Sequence, residues 1–231
     1  MERAISLTPA ESRRLRPADA KEYSIAYVGS EFCQNLLPSV EEFAGVKKRL
    51  GLRPALVTPL MTDVGVKRLE KLVPALLKAC GPFEAVVNDM GVLHYLRGKF
   101  PGKVKPVLGR LLTTDFIRMD TAFFNSFLKE HGITLVETDE HVMMDAASRS
   151  IKADFSFHYP YTLASVTRLC PYRRRLIPDA CSRPCEGNSM RLSHPKLREE
   201  YLLLKTCAYF LKQEARPHSR AARLVFTPET V

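Results

Sequence analysis

Residues 53–89 read RPALVTPLMTDVGVKRLEKLVPALLKACGPFEAVVND. RPALVTP (53–59) is a short apolar run closed by proline, as a buried strand is. The stretch from Asp63 to Ala79 has the length and composition of a helix, and Cys80-Gly81-Pro82 is a usual helix stop. FEAVVND (83–89) is a second apolar strand, so the segment reads as one strand–helix–strand unit.

The same alternation extends in both directions. SIAYVGS (24–30) precedes a helix over about 36–50, and a short helix runs through Tyr95 after the strand at 83–89. VKPVLGRLL (104–112) leads to a helix over Thr121–Glu130, ITLVETD (133–139) to one over about 140–150, and DFSFHYPYTLA (154–164) enters the C-terminal segment. Six β-α alternations with near-continuous apolar strands predict an all-parallel sheet. The expected fold is an α/β TIM-like barrel, complete or incomplete, in preference to an open doubly wound sheet. Residues 1–22 are expected to be a polar lead-in and 23–165 the barrel. Residues 166–231 form a cysteine-rich basic segment on the same domain, ending in a helix over Lys196–Gln213 opened by Ser193 and Pro195.

At 231 residues and 45% hydrophobic content the chain suits one domain with a sizeable core. No G-x-G-x-x-G or G-x-x-x-x-G-K-[ST] loop occurs, which removes the usual dinucleotide and P-loop classes; nor does a G-x-S-x-G elbow or H-E-x-x-H pair. The N-terminal MERAISLTPAESRRLRP has no apolar core of a secretory signal, and no apolar run reaches membrane-spanning length. A cytoplasmic, reducing location is therefore expected. The net charge of +10 is concentrated: Val166–Arg223 holds thirteen Lys or Arg against five Asp or Glu. That surface suits RNA, a small anionic substrate or an acidic partner, or is a plain solvated face.

Cys170, Cys181 and Cys185 lie in LCPYRRRLIPDACSRPCEG as Cys-x10-Cys-x3-Cys. The segment is too rich in proline and arginine for core helix or strand. Thiolates gathered by proline-stiffened loops suit a soft metal or an iron–sulfur cluster, and Cys170-Pro171 resembles the Cys-Pro closing ferredoxin motifs. Cys33, just past the strand SIAYVGS, is the expected fourth ligand. Cys80 and Cys207 are expected to be packed free thiols, Cys207 on a helix face with Leu203, Leu204 and Leu211. Zinc is the alternative metal, although only Cys181-x3-Cys185 has structural-zinc spacing.

Polar residues fall at the expected C-terminal strand ends, where a barrel places its site: Glu31, Asn88, Asp89, Arg110, Glu137, Asp139, His158 and Tyr159. Arg110, with Asp89, is the expected substrate-binding group, its guanidinium suited to a carboxylate. Glu137, Asp139 and His158 are the candidate acid–base groups. The plainer alternatives are helix caps for Asp89 and Asp139, a satisfied barrel histidine for His158, and a structural bridge from Arg110 to Glu137 or Asp139.

YVGSEFC, NDMGVL, and HYPYTLASVTRLC followed by CSRPC resemble peptidase family U32, the collagenase-like peptidases, over residues 24–190. The peptidase-type signature of that family, laid on Cys170, matches Phe157 and is absent at Phe155, Pro160, Leu163 and Thr167-Arg168. The better resemblance is to the family's small, UbiV-like branch of oxygen-independent ubiquinone biosynthesis. It implies a [4Fe-4S] cluster on Cys33, Cys170, Cys181 and Cys185, and oxygen-independent hydroxylation of a quinone precursor or RNA. It also implies a partner subunit and a prephenate-like hydroxyl donor. A metal-stapled scaffold and an RNA-binding module are the competing functions.

Overall fold

The computed structural model describes residues 1–147, 149–176, 181–196, 201–214 and 220–229. Its centre is a closed barrel of eight parallel strands: β1 (Glu2–Leu7), β2 (Ile25–Gly29), β3 (Arg53–Thr58), β4 (Phe83–Val87), β5 (Val104–Leu108), β6 (Leu135–Thr138), β7 (Asp154–Tyr159) and β14 (Ala221–Phe226), the last pairing with both β7 and β1. Helices cover the outside: α1 (Pro9–Arg14), α2 (Pro17–Ala20), α3 (Val40–Leu50), α4 (Asp63–Cys80), α5 (Met90–Lys99), α6 (Arg110–Phe116), α7 (Thr121–His131) and α8 (His141–Ala147). Between β7 and β14 the chain makes an excursion. It contains β8 (Tyr161–Val166), the pair β9 (Leu169–Cys170) and β10 (Arg175–Leu176), then β11 (Ser189–Leu192), β12 (Leu202–Lys205) and β13 (Ala208–Lys212). An antiparallel sheet runs in the order β11-β12-β13-β8.

The TIM-like expectation holds, and the barrel is closed. Two expected boundaries change. Residues 1–22 are no lead-in: they contain β1 and α1, whose Thr8–Glu11 capping box starts the helix immediately after the strand. The expected helix over Lys196–Gln213 is, in its described part, the β12–β13 hairpin. Lys205 pairs with Ala208, so the turn is Thr206-Cys207, and Thr206 has φ +57°. A two-residue hairpin turn ordinarily announces itself with Asn or Gly at such positions. Thr206-Cys207 does not, and the leucines around it imitate a helix face. Residues 197–200 of that expected helix, and residue 148 of the one over 140–150, lie outside the described residues. VKPVLGRLL also divides, because Gly109 caps α6 directly after β5.

Side chains alternate across each barrel strand. Those facing outward, such as Val28, Leu56, Val87, Phe155 and Phe157, pack under the helices in one large core. Those facing inward form a smaller apolar layer of Ala4, Ile25, Tyr27, Ala55, Val57, Val86, Val107, Leu135 and Val225. Charges fill the two ends. At the bottom, Arg223 pairs with Glu84 at 2.8 Å and Glu2 at 2.7 Å and donates to the Tyr27 hydroxyl at 2.8 Å.

At the top of β2 the chain turns sharply at Gly29, with φ +133°, and a Cβ there would lie 2.4 Å from the Val57 carbonyl oxygen. Gly29→Ala therefore combines a disfavoured backbone conformation, costing about 1–3 kcal/mol, with a clash against the neighbouring strand. Urea denaturation should show a loss of at least about 1 kcal/mol; an unchanged midpoint would mean that β3 yields freely. Among the described residues, no helix is long and apolar enough to cross a membrane.

Candidate functional site at the barrel mouth

Strand ends β2, β5, β6 and β7 bring Glu31, Arg110, Glu137, Asp139 and His158 together, all buried. Arg110 sits in the first turn of α6 and donates from Nε to Glu31 Oε2 and from Nη1 to Asp139 Oδ2, each at 2.8 Å. Its guanidinium lies over the Phe32 and Phe210 rings, at 5.4 and 5.8 Å from their centroids. Asp139 Oδ2 also accepts the backbone N–H of Leu163 at 2.8 Å, which ties β8 to the mouth. One layer deeper, His158 Nε2 is 3.0 Å from Glu137 Oε2 and 3.9 Å from Glu31 Oε1.

Burial disfavours every charge here, and partners decide which charges survive. For Arg110, burial works against the cation, but Glu31 and Asp139 outweigh it and its pKa is raised. Burial raises Glu31, with Arg110 opposing. Glu137 is pushed up to about 7, chiefly by burial, so a proton on it is readily held near neutrality. His158 is brought down to about 3 by burial and by the nearby Arg110, and is therefore neutral at physiological pH.

A second group lies behind Phe32. Cys33, Cys185 and Cys207 share a buried cluster with Leu36, and Phe32 and Tyr172 pack against it. Cys207 hydrogen-bonds to Cys33, and this contact, opposed by burial, lowers the Cys33 thiol to about 7. Cys207 itself is pushed upward by that hydrogen bond and by burial, with Cys170 and Cys185 near enough to contribute. Cys185 rises to about 12, mainly through burial and then through Cys33, Cys170 and Cys181. Cys170 is buried on β9, whereas Cys181 is partly exposed and its Sγ accepts the N–H of Arg183 at 3.3 Å. The non-glycine residues with positive φ are Arg174, Arg183 and Thr206 among the described residues, and each flanks a thiol-bearing turn. Such positions cost energy and cluster where structure is held for function.

Among solved structures, the U32 peptidase Mk0906 matches with a TM-score of 0.56 at 14% sequence identity, covering 99% of this chain and 92% of that one. The chain has the fold of a U32 peptidase. No protein-family model matches the sequence, and no curated protein matches it.

On this U32 fold the expected residues separate into two sets. Glu137, Asp139, His158 and Arg110 converge, and Arg110 spends its guanidinium on Glu31 and Asp139. Asp89 stands apart from them: it caps α5 through Val92 N–H at 3.0 Å and accepts Met61 N–H at 3.1 Å. Asn88 is likewise spent on backbone, bonding the Thr58 carbonyl and Leu111 N–H. Cys33, Cys170 and Cys181 are each near enough to Cys185 to raise its pKa. Cys80 ends α4 beside Lys47 and Lys48, away from the other thiols. Glu31 was expected at the mouth but without a specific role, and Cys207 was given no site role because its apolar neighbours imitate a helix. The adjacency of Glu31 to Cys33 on one strand end was the available signal.

Proposed function

We propose that this chain holds a thiolate-bound [4Fe-4S] cluster on Cys33, Cys170, Cys181 and Cys185. We further propose that it serves an oxygen-independent hydroxylation, of a quinone precursor or RNA, beside a partner subunit. The observation that carries the reading is that Cys33, Cys185 and Cys207 share one buried cluster, with Cys170 and Cys181 near enough to Cys185 to raise its pKa. Core packing alone gives no reason for polar, proline-rich turns to place so many thiols there.

The donor set fits an iron–sulfur centre. Tetrahedral zinc, with Zn–S bonds of about 2.3 Å, needs sulfurs about 3.8 Å apart. Among the four proposed ligands only Cys181-x3-Cys185 has the paired spacing of a structural zinc site, and thiolates brought together from separate loops suit a cluster. Bound there, the cluster supplies electron transfer or Lewis acidity. The protein's own part is in the residues below it. Phe32 packs between the thiol cluster and the Arg110 guanidinium, and Arg110 holds Glu31 and Asp139 in place. Glu137 and His158 offer a proton donor and a neutral imidazole acceptor. A cavity of about 270 Å³ opens beside Glu31 and Phe32, lined further by Gln34, Met61 and Arg168. Its mixture of apolar wall and one arginine suits a small anionic ring compound.

Absorption of protein purified without oxygen tests the centre. A brown protein with broad thiolate-to-iron bands and bound sulfide supports it; a colourless protein with stoichiometric zinc overturns it. Proteolysis gives an independent check. Arg173, Arg174 and Arg175 are exposed on the β9–β10 turn, which has little core of its own. Metal loading should therefore protect this turn, and trypsin should cut the metal-free protein there several-fold faster than the loaded one. Equal rates would mean that the turn is ordered without the centre.

A further inference from the structure

We propose that Glu31, Glu137 and His158 form a separate site for a divalent first-row cation of the Mn2+ or Fe2+ kind, one layer below the thiols. The site stands on its own geometry and holds whether or not the thiols carry a cluster.

The ligand atoms of the three residues all lie within 4.8 Å of one another. His158 Nε2 is 3.0 Å from Glu137 Oε2 and 3.9 Å from Glu31 Oε1. Two ligands on one cation with bonds of about 2.1 Å are separated by about 3.0–3.4 Å. The three side chains therefore need to move little to share an ion. The Glu31 and Glu137 carboxyls also lie within hydrogen-bonding reach of each other.

Two observations point to a ligand rather than to a closed network. Glu137 Oε1, on a side chain that is 0% exposed, has no hydrogen-bond partner among the described residues. A buried polar atom without a partner is costly. Charge gives the second. Glu31, Glu137 and Asp139 face one guanidinium, that of Arg110, while Arg223 below is bound to Glu2 and Glu84. Three carboxylates outnumber the one guanidinium they face, and a divalent cation would balance them.

The arrangement around the trio favours the metal. Arg110 engages Glu31 through Oε2, which leaves Oε1 facing His158. This is the outer-partner geometry that orients metal-binding carboxylates. A small space of about 40 Å³ borders Glu31, beside Phe32, Arg110 and Phe210. Two carboxylates and one imidazole suit Mn2+ or Fe2+, unlike the soft thiol set above. Three protein ligands also leave positions for water or a substrate oxygen.

Mn2+ is the discriminating probe because it disfavours thiolate. Titration of the full chain, followed by loss of the six-line electron paramagnetic resonance signal of free Mn2+, should show one equivalent bound. The bound ion should carry a nitrogen coupling from His158 in electron spin-echo modulation, a readout that needs no variant. Glu31→Gln, Glu137→Gln and His158→Gln should each weaken binding at least about tenfold, whereas Cys170→Ala should leave it unchanged. Binding that does not saturate, bound Mn2+ without nitrogen coupling, or affinity undiminished in well-folded variants would overturn the assignment in favour of a proton shared between the carboxyls.

Discussion

Alanine at Cys33, Cys170 or Cys185 is expected to remove most of the iron and sulfide from protein purified without oxygen. Alanine at Cys80 is expected to leave both intact. The difference follows from place: the first three are buried, Cys33 and Cys170 near enough to Cys185 to raise its pKa, and Cys80 ends α4 beside Lys47 and Lys48. Cys181 is assigned as the fourth ligand, and Cys207 as the thiol that hydrogen-bonds Cys33. Cys181→Ala should therefore lose the centre, and Cys207→Ala should keep it. Iron and sulfide analysis of the pair is decisive, because retention in Cys181→Ala with loss in Cys207→Ala would transfer the fourth position to Cys207. Full iron in all the single variants would remove the thiol centre altogether.

Arg110→Ala is expected to destabilise the fold by about 3–5 kcal/mol, the usual result of deleting one member of a buried ion-pair group. Its two partners, Glu31 and Asp139, are themselves buried and would be left charged without a counterion. The loss should be largest at neutral pH. It should shrink in acid, as those carboxylates take up protons and no longer need a cation. Guanidinium denaturation at two pH values measures both effects. A loss below about 1 kcal/mol would show that the mouth rehydrates freely. That outcome would restore Arg110 as a group available to an incoming carboxylate.

The parts of the fold legible in the sequence were those where burial and chain direction agree. RPALVTP and FEAVVND are apolar throughout because both faces of a parallel strand are covered, inside by the barrel and outside by helices. The two closing strands escaped notice for the opposite reason. ERAISL and AARLVF carry Glu2 and Arg223, which point into the barrel end and neutralise one another there. A charge looks like surface until its partner is known, and this partner lies at the other end of the chain. The candidate site divides in the same way. Glu137, Asp139 and His158 could be placed at strand ends from periodicity alone. The pairing of Arg110 with Glu31 depends on barrel closure, which only three dimensions reveal. Cys207 was hidden by a hairpin turn without glycine or asparagine.

Because β7 and β14 are hydrogen-bonded neighbours, Tyr159 against Phe226, the excursion carrying Cys170, Cys181, Cys185 and Cys207 leaves and rejoins the barrel at adjacent staves. The barrel thus acts as a clasp on that loop, and the entropy of closing it is met by strand pairing rather than by thiol chemistry. Assembly acquires an order: the thiols can be gathered lastingly only after the final stave has docked. A chain halted before Ala221 would carry every cysteine and still lack the means to hold them together.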